Sequence, residues 1–365
     1  MQQTKIEKVL TNLLKMALHR SVFTDVEWSS LTDEDWKDCY SLAVKHGVMA
    51  VAFDGVQQLP IECQPCRPIR LSWAVAVKNY EERYERYCRT AAELSALYAE
   101  HGIAMVQLKG VGLSSYYPVP SHREGGDIDI YTYSLDPSKM SDSDANKLAD
   151  KLMEDRGVAV EYENEKHSNF YYKGIPIENH KTFLDMNVNK VAHQMDILLK
   201  RLLEPRKVYL CNSQYEIWVP SPEFNVLFLS CHAGRHYCEG LRLHHIYDWA
   251  CMLKKYGLLI SKDVKDKKLL RFIYSLTEIC NILFETNVSF AGDASLSREV
   301  YGQIMHPKYE GNCPKSKLGI FFYKIARVFY VHRMQSKIYD RSLWGILWHS
   351  FVFHLKNPKT IFSKR

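Results

Sequence analysis

The segment Gly125-Gly126-Asp127-Ile128-Asp129-Ile130 constrains this chain more tightly than any other stretch. Alternation of acid and isoleucine predicts a strand with one apolar face, because side chains at i and i+2 of a strand point the same way. Asp127 and Asp129 then stand side by side while Ile128 and Ile130 turn into a core. Two such carboxylates can share a divalent cation. Magnesium takes oxygen ligands and keeps positions open for water or phosphate, so the pair leaves room for a nucleoside triphosphate. Gly125 and Gly126, having no Cβ, would let phosphates approach the backbone. A solvated strand shows the same Asp-x-Asp pattern, so the surroundings decide.

Those surroundings are cationic. Leu108-Lys109-Gly110 directly follows the short apolar run Ile103-Ala104-Met105-Val106, where a phosphate-cradling turn with a positive side chain would sit. Arg123 lies four residues before Asp127. Lys109, Gly110, Arg123 and Gly126 are therefore the candidates for holding a polyphosphate. Phosphoryl transfer with bound metal also asks for a carboxylate that positions or deprotonates the attacking hydroxyl. Glu178 is the candidate: in Ile175-Pro176-Ile177-Glu178-Asn179-His180 the isoleucines face one way and Pro176, Glu178 and His180 the other. Asp185 and Glu163 are the alternatives. Asp127, Asp129 and Glu178 thus form the expected metal-binding and catalytic set.

The rest of the chain reads as helix around a small sheet. Thr32, followed by Asp33, Glu34 and Asp35, is a helix start signal. After Pro68, Val77, Tyr80, Tyr84, Tyr87, Ala91, Leu94 and Tyr98 recur at helical spacing and read as the core face of a long helix ending near Gly102. Strands are expected at 103–106, 128–131, 158–162, 169–172 and 175–179, with a helix over 142–155. Helices follow at 188–204, 222–238, 241–257 and 263–286, with two more near the C-terminus. The expected class is α+β, a small mixed sheet flanked by an N-terminal helical region and a C-terminal helical bundle. The expected divisions are 1–101 helical, 102–187 core sheet, 188–290 helical and closing the cleft, and 291–365 basic and aromatic.

Composition narrows the class further. With 46% hydrophobic and 25% charged residues the chain can bury a full core, and no apolar run reaches the roughly 18 residues of a membrane span. No secretory signal pattern opens it, so a cytoplasmic location is expected. Ten scattered cysteines read as reduced thiols, and the Cys63/Cys66 pair lacks partners for a zinc ribbon. The charge of +6 is uneven: Lys324, Arg327, Arg333, Lys337, Arg341, Lys356, Lys359, Lys364 and Arg365 face only Asp340 beyond residue 318. With Trp344, Trp348, Phe351 and Phe353 beside them, these cations suit an anionic membrane surface or a helical hairpin with a solvated basic face. His232 and His236 share a helix face, with Cys231 and Cys238 nearby. A zinc site there is weaker than a polar face closing a cleft, with Arg242 and Asp248 paired on the next helix.

Leu108-Lys109-Gly110, Tyr117-Pro118, Arg123-Glu124-Gly125-Gly126-Asp127-Ile128-Asp129-Ile130, His167 and the Ile177-Glu178-Asn179-His180 strand together resemble a known family. It is the uncharacterised Bacteroidetes-type nucleotidyltransferase family of the DNA polymerase beta-like superfamily. Asp35-Trp36, His46-Gly47-Val48 and the region of His232, His236, Arg242 and Asp248 extend the likeness to about residues 5–260. The resemblance implies a polymerase beta-like fold, Asp127 and Asp129 as ligands of Mg²⁺ or Mn²⁺, and Glu178 as third acid. It also implies transfer of NMP from an NTP such as ATP. In one departure, Lys109-Gly110 stands where the superfamily has a Gly-Gly or Gly-Ser turn, and farther from the first Asp. The acceptor expected is a small molecule or saccharide rather than nucleic acid, since no basic aromatic module precedes residue 319. The other readings are a binding or scaffold protein that keeps the fold without catalysis, and a transferase acting on RNA or protein.

Overall fold

A computed structural model describes residues 2–23, 25–162, 165–185, 190–309, 314, 316–340, 343–345 and 347–348. Glu163, Phe351 and Phe353 lie outside the described residues. The chain opens with four helices, α1 (Lys5–His19), α2 (Asp33–Lys45), α3 (Met49–Gln58) and α4 (Arg67–Ala99). The start signal at Thr32 works as expected. Its hydroxyl accepts from the Asp35 amide at 3.2 Å, and Asp35 returns a bond to the Thr32 amide at 2.9 Å.

Five strands follow: β1 (Ile103–Gln107), β2 (Ile128–Ser134), β3 (Val160–Glu161), β4 (His167–Tyr172) and β5 (Ile175–His180). A short helix α5 (Val111–Ser114) leads from β1 toward β2, and α6 (Asp142–Glu154) leads from β2 to β3. The sheet order is β1-β2-β5-β4-β3, with β2 and β5 parallel and the other neighbours antiparallel. The mixed α+β architecture read from the sequence is the architecture found.

A second, two-stranded sheet of β6 (Arg206–Leu210) and β7 (Tyr215–Val219) was not expected. It sits between α7 (Lys190–Leu202) and α8 (Pro222–His236), and α9 (Leu243–Tyr256), α10 (Lys267–Phe284), α11 (Ser297–Met305) and α12 (Lys317–Gln335) follow. Among the described residues no helix is long and apolar enough to cross a membrane.

The pleat of β2 and β5 separates two cores. Ile128, Ile130, Ile175 and Ile177 point back into a cluster with Tyr84, Ala91, Leu94 and Tyr98 of α4, Ala149 and Met153 of α6, and Ile217 and Val219 of the hairpin. The expected stripe of α4 is therefore core, except that Tyr80 is half-buried. The front of the sheet faces a larger cluster. There Tyr131 and Phe183 meet Phe224 and Phe228 of α8, and the same core runs on through α9 and α10 to Leu10 and Leu13 of α1. The N-terminal helices thus pack with the later ones rather than beside the sheet alone.

A buried polar network fixes the parallel register. Asn179 of β5 accepts from Thr132 of β2 at 2.9 Å and from Asn146 of α6 at 3.0 Å, and donates to Asp150 of α6 at 2.9 Å. Ser168 of β4 donates to the same Asp150 oxygen at 2.8 Å. A one-residue slip would turn Glu178 to the wrong face and strand all of these groups. Asn179→Ala removes the hub and leaves buried partners unsatisfied, each costing about 1–3 kcal/mol. Urea denaturation is expected to show a loss within that range or above it, and a loss under about 0.5 kcal/mol would contradict the network's role.

His122, at the end of a 3₁₀ turn (Pro120–His122), is held between Asp54 of α3 at 2.9 Å and Glu81 of α4 at 3.2 Å. Burial opposes its charge, but the two carboxylates keep the imidazole above its ordinary value of 6.5. A raised folded-state value stabilises the protein fully below pH 6.5, and that share fades as pH climbs through the raised value. The stability gap between wild type and His122→Gln should therefore narrow as pH rises above 6.5. A gap that holds constant or widens would contradict this account.

Candidate active site

Two turns meet at the N-terminal end of β2. In the first, Gly110 has φ of +60°, and a Cβ there would lie 3.1 Å from the Asp127 carbonyl oxygen. Glycine is needed both for the left-handed backbone and for that close approach. Gln107 secures the turn, its amide donating to the carbonyls of Lys109 at 3.1 Å and Asp129 at 3.0 Å. In the second turn, Tyr80 donates to Glu124 at 2.9 Å and Tyr87 to the Gly126 carbonyl at 3.1 Å, while Tyr84 bonds Ser114 of α5 at 2.9 Å. The rings that fill the core of α4 thus carry hydroxyls that position both turns. Gly47, at φ +67°, leaves space for the Glu124 carboxylate, which a Cβ at that position would overlap.

The sequence-predicted acids converge on the front of the sheet. Asp129 and Glu178 are direct neighbours across β2 and β5, and Asp127 precedes them at the strand's mouth. Asp129 is fully buried: Lys109 Nζ donates to its Oδ1 at 2.8 Å and His180 Nε2 to the same oxygen at 3.0 Å. Burial alone would raise its pKa, but Lys109 and His180 hold it well below the carboxylate range. Asp127 is pushed the other way, up to about 6, by burial and by the charges of Asp129 and Glu178 against the pull of Lys109. Glu178 lies 3.6 Å from both His167 Nε2 and His180 Nε2, and despite its burial its carboxyl is held below the ordinary range.

These residues fit a divalent cation. The second oxygen of Asp129 is buried with no hydrogen-bond partner among the described residues, an expensive state for a charged group. Three carboxylates that crowd each other's charge supply hard oxygen donors of the kind Mg²⁺ and Mn²⁺ prefer. Donor atoms of Asp129, Glu178 and His180 lie within 4.8 Å of one another. Strand alternation puts His180 on the Glu178 face, and its position two residues after Glu178 is the sequence signal for its place at the acids.

A cleft of about 930 Å³, its open mouth included, adjoins the acids and is lined by Lys109, Gly110, Gly126, Asp127, Arg242 and His244, among others. Arg123 also borders it, but its guanidinium is turned into a buried fork: Nε and Nη2 meet the two oxygens of Asp248 at 3.0 and 2.9 Å. Tyr117 donates to the same carboxylate at 2.7 Å. Asp248, expected to pair with Arg242, instead ties the turn before Asp127 to α9. Removing one partner of a buried pair like this costs about 3–5 kcal/mol. Across the cleft, His232 and His236 of α8 are joined by His245 of α9, their ring nitrogens within 4.8 Å of one another. Only the tertiary structure, which packs α9 on α8, brings His245 to the other two. Its Nδ1 already accepts from the Arg242 amide at 3.1 Å and caps α9, so the trio forms a wall of imidazoles packed at tilted and edge-on angles.

Residues 32–285 match the family described as uncharacterised nucleotidyltransferases. No curated protein and no solved structure gives a significant match to the chain. The family match spans α2 to α4, both turns, all three acids and helices α8 and α9. The chain therefore belongs to that uncharacterised nucleotidyltransferase family.

Proposed function

We propose that the protein transfers a nucleoside monophosphate from an NTP to a hydroxyl-bearing acceptor, with Mg²⁺ or Mn²⁺ held by Asp127, Asp129 and Glu178. The observation that carries this reading is the pairing of Asp129 with Glu178 across two parallel strands, with Asp127 just before one of them and a buried oxygen of Asp129 unsatisfied. The bound cation would screen the triphosphate and the carboxylates from each other. Lys109 and the Gly110 turn open onto the same cleft as Gly126 and Asp127, so the polyphosphate belongs there, with Lys109 offsetting charge on the leaving pyrophosphate. His167 and His180 keep Glu178 ionised, ready to accept the acceptor's hydroxyl proton. As the acceptor oxygen bonds to the α-phosphorus, the bond to the β-phosphate oxygen breaks and pyrophosphate leaves.

Thermal melts with each NTP, with and without Mg²⁺, test the site, because a ligand that binds only the folded state raises the midpoint. Wild type is expected to show a metal-dependent rise with at least one NTP, and Asp129→Asn none. Glu178→Gln should retain much of the rise while nucleotidyl transfer falls about a hundredfold or more. Wild-type transfer rates in Glu178→Gln, or equal shifts in wild type and Asp129→Asn, would overturn the assignment. A saccharide or other small-molecule acceptor is favoured over RNA, since the cleft is walled by helices and not by an open basic face.

The last described helix supports a peripheral membrane contact. Leu318, Phe322, Ile325 and Phe329 line one side of α12 and are exposed, as are Trp344 at 81% and Trp348 at 65%. Aromatic rings on the same helix as Lys324 and Arg333 match the chemistry of an anionic bilayer surface. Sedimentation with phosphatidylserine vesicles should pull down wild type and lose Phe322→Ser/Phe329→Ser. Equal recovery of the two, or none on these vesicles, would contradict it.

A further inference from the structure

A second cavity lies beside the proposed catalytic carboxylates and is unlike the first. It encloses about 780 Å³, open mouth included, and its walls are Phe183, Leu184, Met195, Phe228 and Leu269. His232 lines both cavities and so stands between them. Their placement along the sheet differs. The polar cleft gathers around the turns before Asp127. The apolar cavity lies past the other end of the acids, where Asp129 is followed on the same face by Tyr131, whose ring packs on Phe183 at 4.6 Å. Lys166 leads into His167, a neighbour of Glu178, and its carbonyl accepts from the Lys181 amide at 2.8 Å. Through Lys166 and His167 the cavity thus lies toward the Glu178 side of the acids, the side from which an acceptor hydroxyl would come.

Charged groups of both signs line it, Lys166 and Arg235 with Asp185 and Asp266. Lys166 and Arg235 both line it, and Arg235 makes no ion pair among the described residues. Of the two acids at the same cavity, Asp266 spends an oxygen capping α10, accepting from the amides of Lys268 at 2.8 Å and Leu269 at 3.0 Å; Asp185 is the other. Burial, with Arg235 and Lys109 close by, pulls the Lys166 ammonium down to about 8. An anion would relieve that crowding of positive charge.

Resting on the transferase reading above, we infer that this cavity is the acceptor site, and that it takes an amphipathic small molecule. Such an acceptor has an apolar ring or acyl body, a carboxylate or other anionic group for Lys166 and Arg235, and a hydroxyl directed to Glu178. A cavity walled by aromatic and aliphatic side chains with a few polar groups at one end is the usual form of such a site.

The probe is 8-anilino-1-naphthalenesulfonate, an aromatic anion, followed by fluorescence on the full chain without nucleotide or metal. Its neutral counterpart N-phenyl-1-naphthylamine is the control. We expect saturable binding of the anion, at least about fivefold weaker in Arg235→Glu, where a charge-assisted contact is lost. Met195→Trp, which fills the cavity, should abolish it, and Arg235→Glu at the surface covers the case in which Met195→Trp fails to fold. 4-Hydroxyphenylacetate should displace the probe while its methyl ester does not, and NTP with Mg²⁺ should leave it in place. No binding, equal binding of the neutral dye, or indifference to Arg235→Glu would overturn the inference. So would displacement by NTP with Mg²⁺, which would give the cavity to the nucleotide base. Because neither nucleotide nor metal enters the primary titration, a cavity that binds as expected in a chain that never turns over NTP would sink the transferase reading alone.

Discussion

The parallel pairing of β2 with β5 is the constraint on which the rest of this structure depends. It alone sets Asp129 opposite Glu178, and it has no tight turn to enforce it, because the two strands are separated by α6 and two further strands. What enforces it is chemistry on the hidden face. Asn179 takes bonds from Thr132 and Asn146 and gives one to Asp150, so the register that satisfies these buried groups also brings the acids together on the other face. Like charges at such range add their cost to that of burial, and the two together push the Asp127 carboxyl up to about 6. Lys109 meets part of it by bonding Asp129.

Around this pair the structure spends large side chains on holding loops still. Tyr84 and Tyr87, buried on α4, and half-buried Tyr80 use their hydroxyls at the two turns, so a single rigid helix sets the position of both. Arg123 and Asp248 join the second turn to α9, and α9 shares the core that runs from α8 to α1. The polar cleft is thus bounded by the sheet on one side and by a continuous helical body on the other. Preorganisation of this kind lets electrostatics act on a reacting phosphate without the protein having to move.

Much of the fold was legible because it is written locally. Alternation at 127–130 and 175–180, the α4 stripe and the Thr32 cap each depend on residues a few positions apart, and each element was found in place. The hairpin 206–219 was not, for a physical reason: its turn runs through Cys211, Asn212 and Ser213 at positive φ, without the glycine that marks such turns. The sequence could place Asp127, Asp129 and Glu178 on one face, and the structure brings them together. It could not show that Arg123 turns away into Asp248, or that His245 completes a trio with His232 and His236, because those meetings depend on how α9 packs. The tyrosines of α4 read only as core, since hydroxyl partners at Glu124, Ser114 and Gly126 are set by tertiary contact.

On the proposed reading, Asp127, Asp129 and Glu178 form a site for a divalent cation whose occupancy couples to a nucleotide. Electron paramagnetic resonance of Mn²⁺ reads this directly, since free ion gives a sharp signal that broadens on binding. Titrating Mn²⁺ into wild type with a non-hydrolysable NTP analogue should show saturable binding, tightened by the analogue and lost in Asp127→Asn/Asp129→Asn. Equal loss of the free-ion signal in wild type and the double variant would contradict the account.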